Sequence, residues 1–251
     1  MPRLIPFRPA AACAPALLVS LLVAVPAVAK GPTVDLRVVG AGGKVLAEKS
    51  VGAGSASVKT SPKATCFGAG TGGSGKSVKV PGPTPLAALI HASKSAAALK
   101  PLRISDHFDF GLALCGVGKS VAKGTASWYL KVNHKSPSLG GDSVKLKGGD
   151  EVLWDLAPSF PYPDELALVA PNRVKAGKAF KVRVLSYDDR GKKSPVAGAR
   201  VKGAKGATGS DGRATVVLSK PTRLIARHGK DIPSNTEAVC VGRKCPGGSG
   251  R

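Results

Sequence analysis

The sequence predicts a mainly β protein: an α+β first domain, with an antiparallel sheet and one helix, followed by a small β-sandwich. Three observations carry this. Trp128-Tyr129-Leu130-Lys131-Val132-Asn133 alternates with the period of two that a strand with unlike faces requires. Gly148-Gly149-Asp150 is a turn signal that feeds a second β-prone run, Glu151-Val152-Leu153-Trp154. Between Thr84 and Pro101 lies the one stretch with clear helical spacing.

Taken in order, residues 1–29 read as a signal peptide. Arg3 and Arg8 give a positive start, residues 16–25 form an apolar run, and Ala27-Val28-Ala29 supplies the small-x-small cleavage pattern before Lys30. The run is too short to span a bilayer. The first domain, residues 30–157, opens with an alternating strand over 33–39. A glycine turn over 40–43 follows, with an antiparallel return over 44–48. Residues 50–57 read as a loop. Gly70 to Ser77 matches the pattern of a phosphate-cradling loop, but 76–80 alternates like a strand and runs into Pro81. No helix N-terminus follows it to hold a phosphate. Thr84 is a helix cap, Pro85 suits the first helical position, and Leu86, Leu89 and Ile90 form a narrow apolar stripe that Pro101 ends. Residues 102–104 and 112–117 are strand-like. The segments 128–133, 142–147 and 151–154 then predict a three-stranded meander.

Residues 158–163 hold three prolines and read as a stiff linker. The second domain, 164–245, shows β-prone runs over 165–170, 180–187, 196–202, 213–218, 223–227 and 237–241, separated by turns at 188–193 and 208–212. The tail 246–251 has the composition of a disordered segment.

The net charge is +23, with 38 basic residues against 15 acidic ones. Loss of residues 1–29 removes only Arg3 and Arg8 and leaves +21. Such a surface attracts polyanions. Aromatic residues make up 4% of the chain, too few for the base-stacking platforms of nucleic-acid readers, so nucleic acid is not the expected partner. Anionic cell-wall polymers are. Besides Cys13, the chain has Cys66, Cys115, Cys240 and Cys245, and an even number in an exported chain predicts disulfides. Pairing within each domain gives Cys66–Cys115 and Cys240–Cys245.

Residues 31–157 resemble a family of unknown function related to the C-terminal β-domain of transcobalamin. The likeness rests on the opening strand, the helix after Pro85, Phe110-Gly111, the strand Trp128 to Asn133, and Lys147-Gly148-Gly149-Asp150-Glu151-Val152-Leu153-Trp154. Where many members carry glycine after the strand asparagine this chain has His134, which alters the hairpin turn. The resemblance implies capture of a corrinoid or another large ligand, although transcobalamin does this with a helical partner domain that has no counterpart here. Pro195 to Val201 and Thr208 to Ala214 are similar to bacterial immunoglobulin-like or carboxypeptidase-regulatory-like modules, which implies a spacer or adhesive unit.

No cofactor or metal is expected. The histidines His91, His107, His134 and His228 lack metal-pair spacing, and no nucleophile elbow is present. His107, between Asp106 and Asp109, is the best acid–base candidate for a hydrolase, but it has no further partner in sequence. Trp128 and Trp154 are expected in the core, or with Tyr129 and Asn133 in a ligand groove. The expectation is a secreted, non-enzymatic envelope protein without a transmembrane anchor that is attracted to anionic wall polymers. Ligand capture and an uncharacterised hydrolase are the alternatives.

Overall fold

A computed structural model describes residues 31–247. The expected signal peptide, its cleavage point at Ala29–Lys30 and residues 248–251 of the expected tail lie outside the described residues.

The mainly β expectation is met. β1 (Thr33–Gly40) turns through Gly42 and Gly43, both at positive φ, into antiparallel β2 (Lys44–Gly52). Of residues 50–57, read from sequence as a loop, only 53–55 form one; the rest finish β2 and begin β3 (Ala56–Lys59), which pairs with β4 (Ser77–Val80). Gly75-Lys76-Ser77 therefore leads into a strand, as its alternation indicated. α1 (Pro85–Ser95) starts where Thr84 Oγ1 accepts a 3.3 Å hydrogen bond from the Ala87 amide. Its expected narrow stripe is too modest a description. Pro85 to Ile90, Ala92 and Ser93 are all buried, because small alanines let neighbouring strands and loops close around the helix.

β5 (Leu102–Phe108), β6 (Gly111–Val117) and β7 (Ser120–Val121) form one antiparallel sheet. β8 (Ser127–Val132) and β9 (Glu151–Ala157) complete another, in the order β2-β1-β9-β8. Two expectations are corrected here. The sheet is mixed rather than antiparallel: β9 runs parallel to β1, with Asp35 opposite Glu151 and Val39 opposite Asp155. The meander has two strands, because β8 pairs directly with β9. Residues 142–147 cross instead to the helix entrance, where the Leu146 amide donates to Pro83 O at 3.0 Å and the Leu86 amide to Gly141 O at 2.8 Å. The alternation of 142–147 is real, since Val144 and Leu146 reach the core, but the Val144 amide donates to Gly140 O and the Leu146 amide to Pro83 O rather than to a strand.

The second unit contains β10 (Glu165–Val169), β11 (Arg173–Val174), β12 (Ala179–Tyr187), β13 (Lys193–Pro195), β14 (Arg200–Val201), β15 (Arg213–Val217), β16 (Thr222–Leu224), β17 (Ala226–Arg227) and β18 (Glu237–Val241). β12 is central, with β10 along one side and β13 and β15 along the other. The run 196–202 is not one strand. Thr208 Oγ1 donates to Val196 O and accepts from the Ala199 amide, which bends the chain between β13 and β14. Leu166, Val182, Val184 and Val216 from one set of strands share an apolar cluster with Leu224 and Val239 from another. Burying both inner faces in this way is the packing of a sandwich.

A smaller cluster joins the units: Val39, Tyr129, Leu153 and Ala157 from the first sheet meet Ile232. No helix among the described residues is long and apolar enough to cross a membrane.

Candidate functional site

The alternation of β8 puts Trp128 and Leu130 toward the helix-bearing core and Tyr129 and Lys131 toward the second unit. One strand therefore contributes to two distinct sites, an open aromatic groove and a closed polar junction.

Trp128, Tyr129 and Trp154 share the lining of a groove of about 290 Å³. Trp154 is its deep wall, 5% exposed, with Nε1 donating to Pro85 O at 3.4 Å. Gly141 is required there: a Cβ at that position would stand 2.4 Å from the Trp154 ring. Phe67 and Phe110 flank the opening, with Phe108 between them, edge-on to the first ring at 5.4 Å and stacked on the second at 4.9 Å. On the other side Tyr162 stacks on Tyr129 at 4.2 Å and Phe160 packs edge-on against Tyr162. The Cys66–Cys115 disulfide anchors the loop bearing Phe67 to β6, while Cys240–Cys245 closes a short turn after β18.

Exposure sets this groove apart from an ordinary core edge. Five large apolar side chains are exposed among the described residues, and Phe67, Phe110, Leu139 and Phe160 are four of them. Their concentration beside one concavity is what marks a binding surface, whereas scattered apolar residues do not. The Trp128 indole N–H, buried in the same wall, has no hydrogen-bond partner. Asn133 is not among the residues lining the groove. Its amide donates to Asp150 Oδ1 and accepts from the Glu151 amide, each at 2.9 Å, and fixes the hairpin corner. Sequence reasoning missed Phe67, Phe110, Leu139 and Tyr162 as walls. The usable signal was a phenylalanine set in the glycine-rich loop at 67, where no strand periodicity gives it a core position.

The junction is built around charges taken out of water. Lys131 is fully buried, and its Nζ donates to Tyr187 O at 2.8 Å and Asp188 O at 3.0 Å. Burial lowers its pKa against the pull of Glu165 and Asp189. The Arg37 guanidinium donates to Glu165 and to Pro233 O. Burial alone would raise the pKa of Glu165, but His134 and Arg37 outweigh it and hold the carboxyl below its ordinary value. His134 lies between Glu165 Oε2 at 3.1 Å and Glu151 Oε2 at 3.4 Å, with its ring stacked 3.8 Å from that of Tyr187. Asp155, 4% exposed, is pushed up to about 7 by burial, with Arg37 and Lys131 pulling the other way. The Tyr129 hydroxyl donates to Asp189, and burial raises its pKa. Arg37, Lys131, His134, Glu151 and Glu165 border a cavity of about 580 Å³, and Arg37 and His134 both approach Glu165 within it.

The remaining histidines have structural partners. His91 Nε2 is 3.0 Å from Gly54 O, the His107 ring packs edge-on against Phe108, and His228 Nδ1 is 2.8 Å from Asp231. Asp106, the carboxylate beside His107, is held by the Ser74 hydroxyl and amide, and those bonds lower its pKa. Comparison with known proteins found no matching family model, no matching curated protein and no matching solved structure.

Proposed function

We propose that this is a secreted, non-enzymatic protein of a bacterial envelope that holds anionic wall polymers by electrostatic attraction. The observation that carries the reading is how the two signs of charge are used. Carboxylates are spent on internal bonds: Glu48 accepts from the Thr236 amide, Asp142 from the Leu112 amide, and Asp164 from the Ser186 hydroxyl. Asp150 and Asp188 likewise accept from amides in their own turns. The ion pairs among the described residues take their cations from Arg37, Lys131, His134, Arg213 and His228. The one lysine in that set is buried, so the exposed lysines present their charge outward. A net +21 after loss of residues 1–29, arranged in this way, concentrates polyanions at the surface and is screened by salt.

Co-sedimentation of the oxidised protein with isolated cell walls tests this. Pelleting at low salt that is lost at high salt is the expected result; protein that stays in the supernatant at low salt would sink the reading.

The aromatic groove favours a second reading, capture of a soluble ligand. Its volume of about 290 Å³ lies at the lower bound of ordinary ligand pockets, roughly 300 Å³, so it suits a single ring better than an enclosed corrinoid. Equilibrium dialysis against cobalamin decides the corrinoid version. No retention at high micromolar protein removes it.

A further inference from the structure

We infer that the polymer docks on the open outer face of the β10/β12/β15 sheet, and that this occupant is a linear phosphodiester polymer gripped by Lys181, Arg183 and Arg213. This rests on the polyanion reading above and adds where, and through which chemistry, the polymer is held.

β12 alternates without interruption at this end. Val182 and Val184 are buried, while Lys181 and Arg183 point outward. In the pairing with β15, Arg183 stands directly opposite Arg213 and Lys181 opposite Thr215. Directly opposed side chains in a sheet have Cβ atoms about 5 Å apart, and like charges placed so repel one another. Arg213 has Asp211 Oδ2 at 3.3 Å. Arg183 has no carboxylate partner among the described residues. Lys181 Nζ is steadied by Thr215 Oγ1 at 2.7 Å. On the far side of Arg183, across the pairing with β10, is Val169, 56% exposed. The other end of the same face is closed, because Tyr187 stacks on His134 and Glu165 pairs with Arg37. What remains open is a strand-paired surface with two guanidinium groups and one ammonium.

That set fits phosphate. Guanidinium groups present paired N–H donors matched to phosphate oxygens, and one phosphate between two opposed arginines replaces their repulsion with two charge-assisted contacts. A chain continuing along β12 meets Lys181 about 7 Å further on, two residues along the strand. Val169 offers apolar contact to the carbon units between phosphates.

The test uses the full chain, with long-chain inorganic polyphosphate as the probe and affinity measured over a range of NaCl concentrations. The variant K181Q/R183Q/R213Q is compared with K44Q/K59Q/K79Q, which removes the same charge from exposed positions elsewhere. The expected result is a loss of roughly tenfold or more for the first variant, with its log K against log salt slope shallower by about 2, and little change for the second. R183Q alone, whose side chain has no ion-pair partner to lose among the described residues, should reproduce part of that loss with an unchanged circular dichroism spectrum. Equal weakening in both triple variants overturns the inference and leaves polyanion binding standing. Failure of the parent protein to bind either polyphosphate or cell walls overturns both. Binding of the parent to phosphatidylglycerol vesicles but not to polyphosphate also overturns it, and assigns the face to a lipid surface.

Discussion

Replacing Asp155 with asparagine should make the protein more stable at and above neutral pH, and should do so only there. Asp155 lies on β9 opposite Tyr129 on one side and Val39 on the other, with Arg37 and Lys131 as diagonal neighbours on the same face. Burial raises its carboxyl from 3.8 to about 7 despite those two cations. A group whose folded pKa lies above its unfolded value contributes its full stability below the unfolded pKa. That stability is lost as pH rises, because the unfolded chain releases the proton first and the folded chain retains it until about pH 7. The displacement corresponds to about 4 kcal/mol lost between pH 4 and pH 7. Asparagine has the shape of the protonated acid and carries no charge. The D155N variant should therefore match the parent at pH 3, exceed it progressively from pH 4 to 7, and hold a gain of about 4 kcal/mol at pH 8. Urea denaturation followed by tryptophan fluorescence reads this, since Trp128 and Trp154 both lie in the first unit. Taking the difference between variant and parent at each pH cancels the carboxylates whose values are lowered, Glu165 among them. A difference that does not vary with pH, or a variant less stable than the parent at pH 8, would refute the reasoning.

Lys131 gives the opposite expectation. K131M keeps the volume but leaves Tyr187 O and Asp188 O without their buried donor, and should cost about 3 kcal/mol in the same urea titration. At the hairpin corner Asn133 and His134 both take positive φ, 49° and 66°. H134A and H134G each lose the contacts to Glu165 and Tyr187, so comparing them isolates the backbone. The glycine variant should be the more stable by about 1 kcal/mol, measured as a shift in urea midpoint.

That corner also shows where local reasoning reached its limit. A histidine at 134, directly after the strand asparagine, is visible in the sequence, and so is the expectation that the turn differs from one with glycine there. What the histidine gains is not visible, because its partners Glu165 and Tyr187 belong to the other unit. The groove divides in the same way. Trp128, Tyr129 and Trp154 could be nominated from strand ends, yet Asn133, adjacent in sequence, bonds the turn instead, and Phe67 and Phe110 come from distant loops.

What the sequence by itself determined is local: the strands over 33–39 and 128–132, the helix capped by Thr84, the turns at Asp188 and Asp211, and the mainly β class. Each follows from side-chain period or turn chemistry within a few residues. The tertiary structure alone decided that β9 runs parallel beside β1, and that residues 142–147 leave the sheet for the helix entrance. It also decided that the face bearing Lys131 and Asp155 is closed. The alternation of β8 predicts a strand with two unlike faces, and a buried lysine looks from sequence like a solvated one. Whether water or a second unit covers that face depends on Tyr187, Asp188 and Glu165 arriving there, and a contact between residues more than thirty positions apart leaves no periodic trace in either segment.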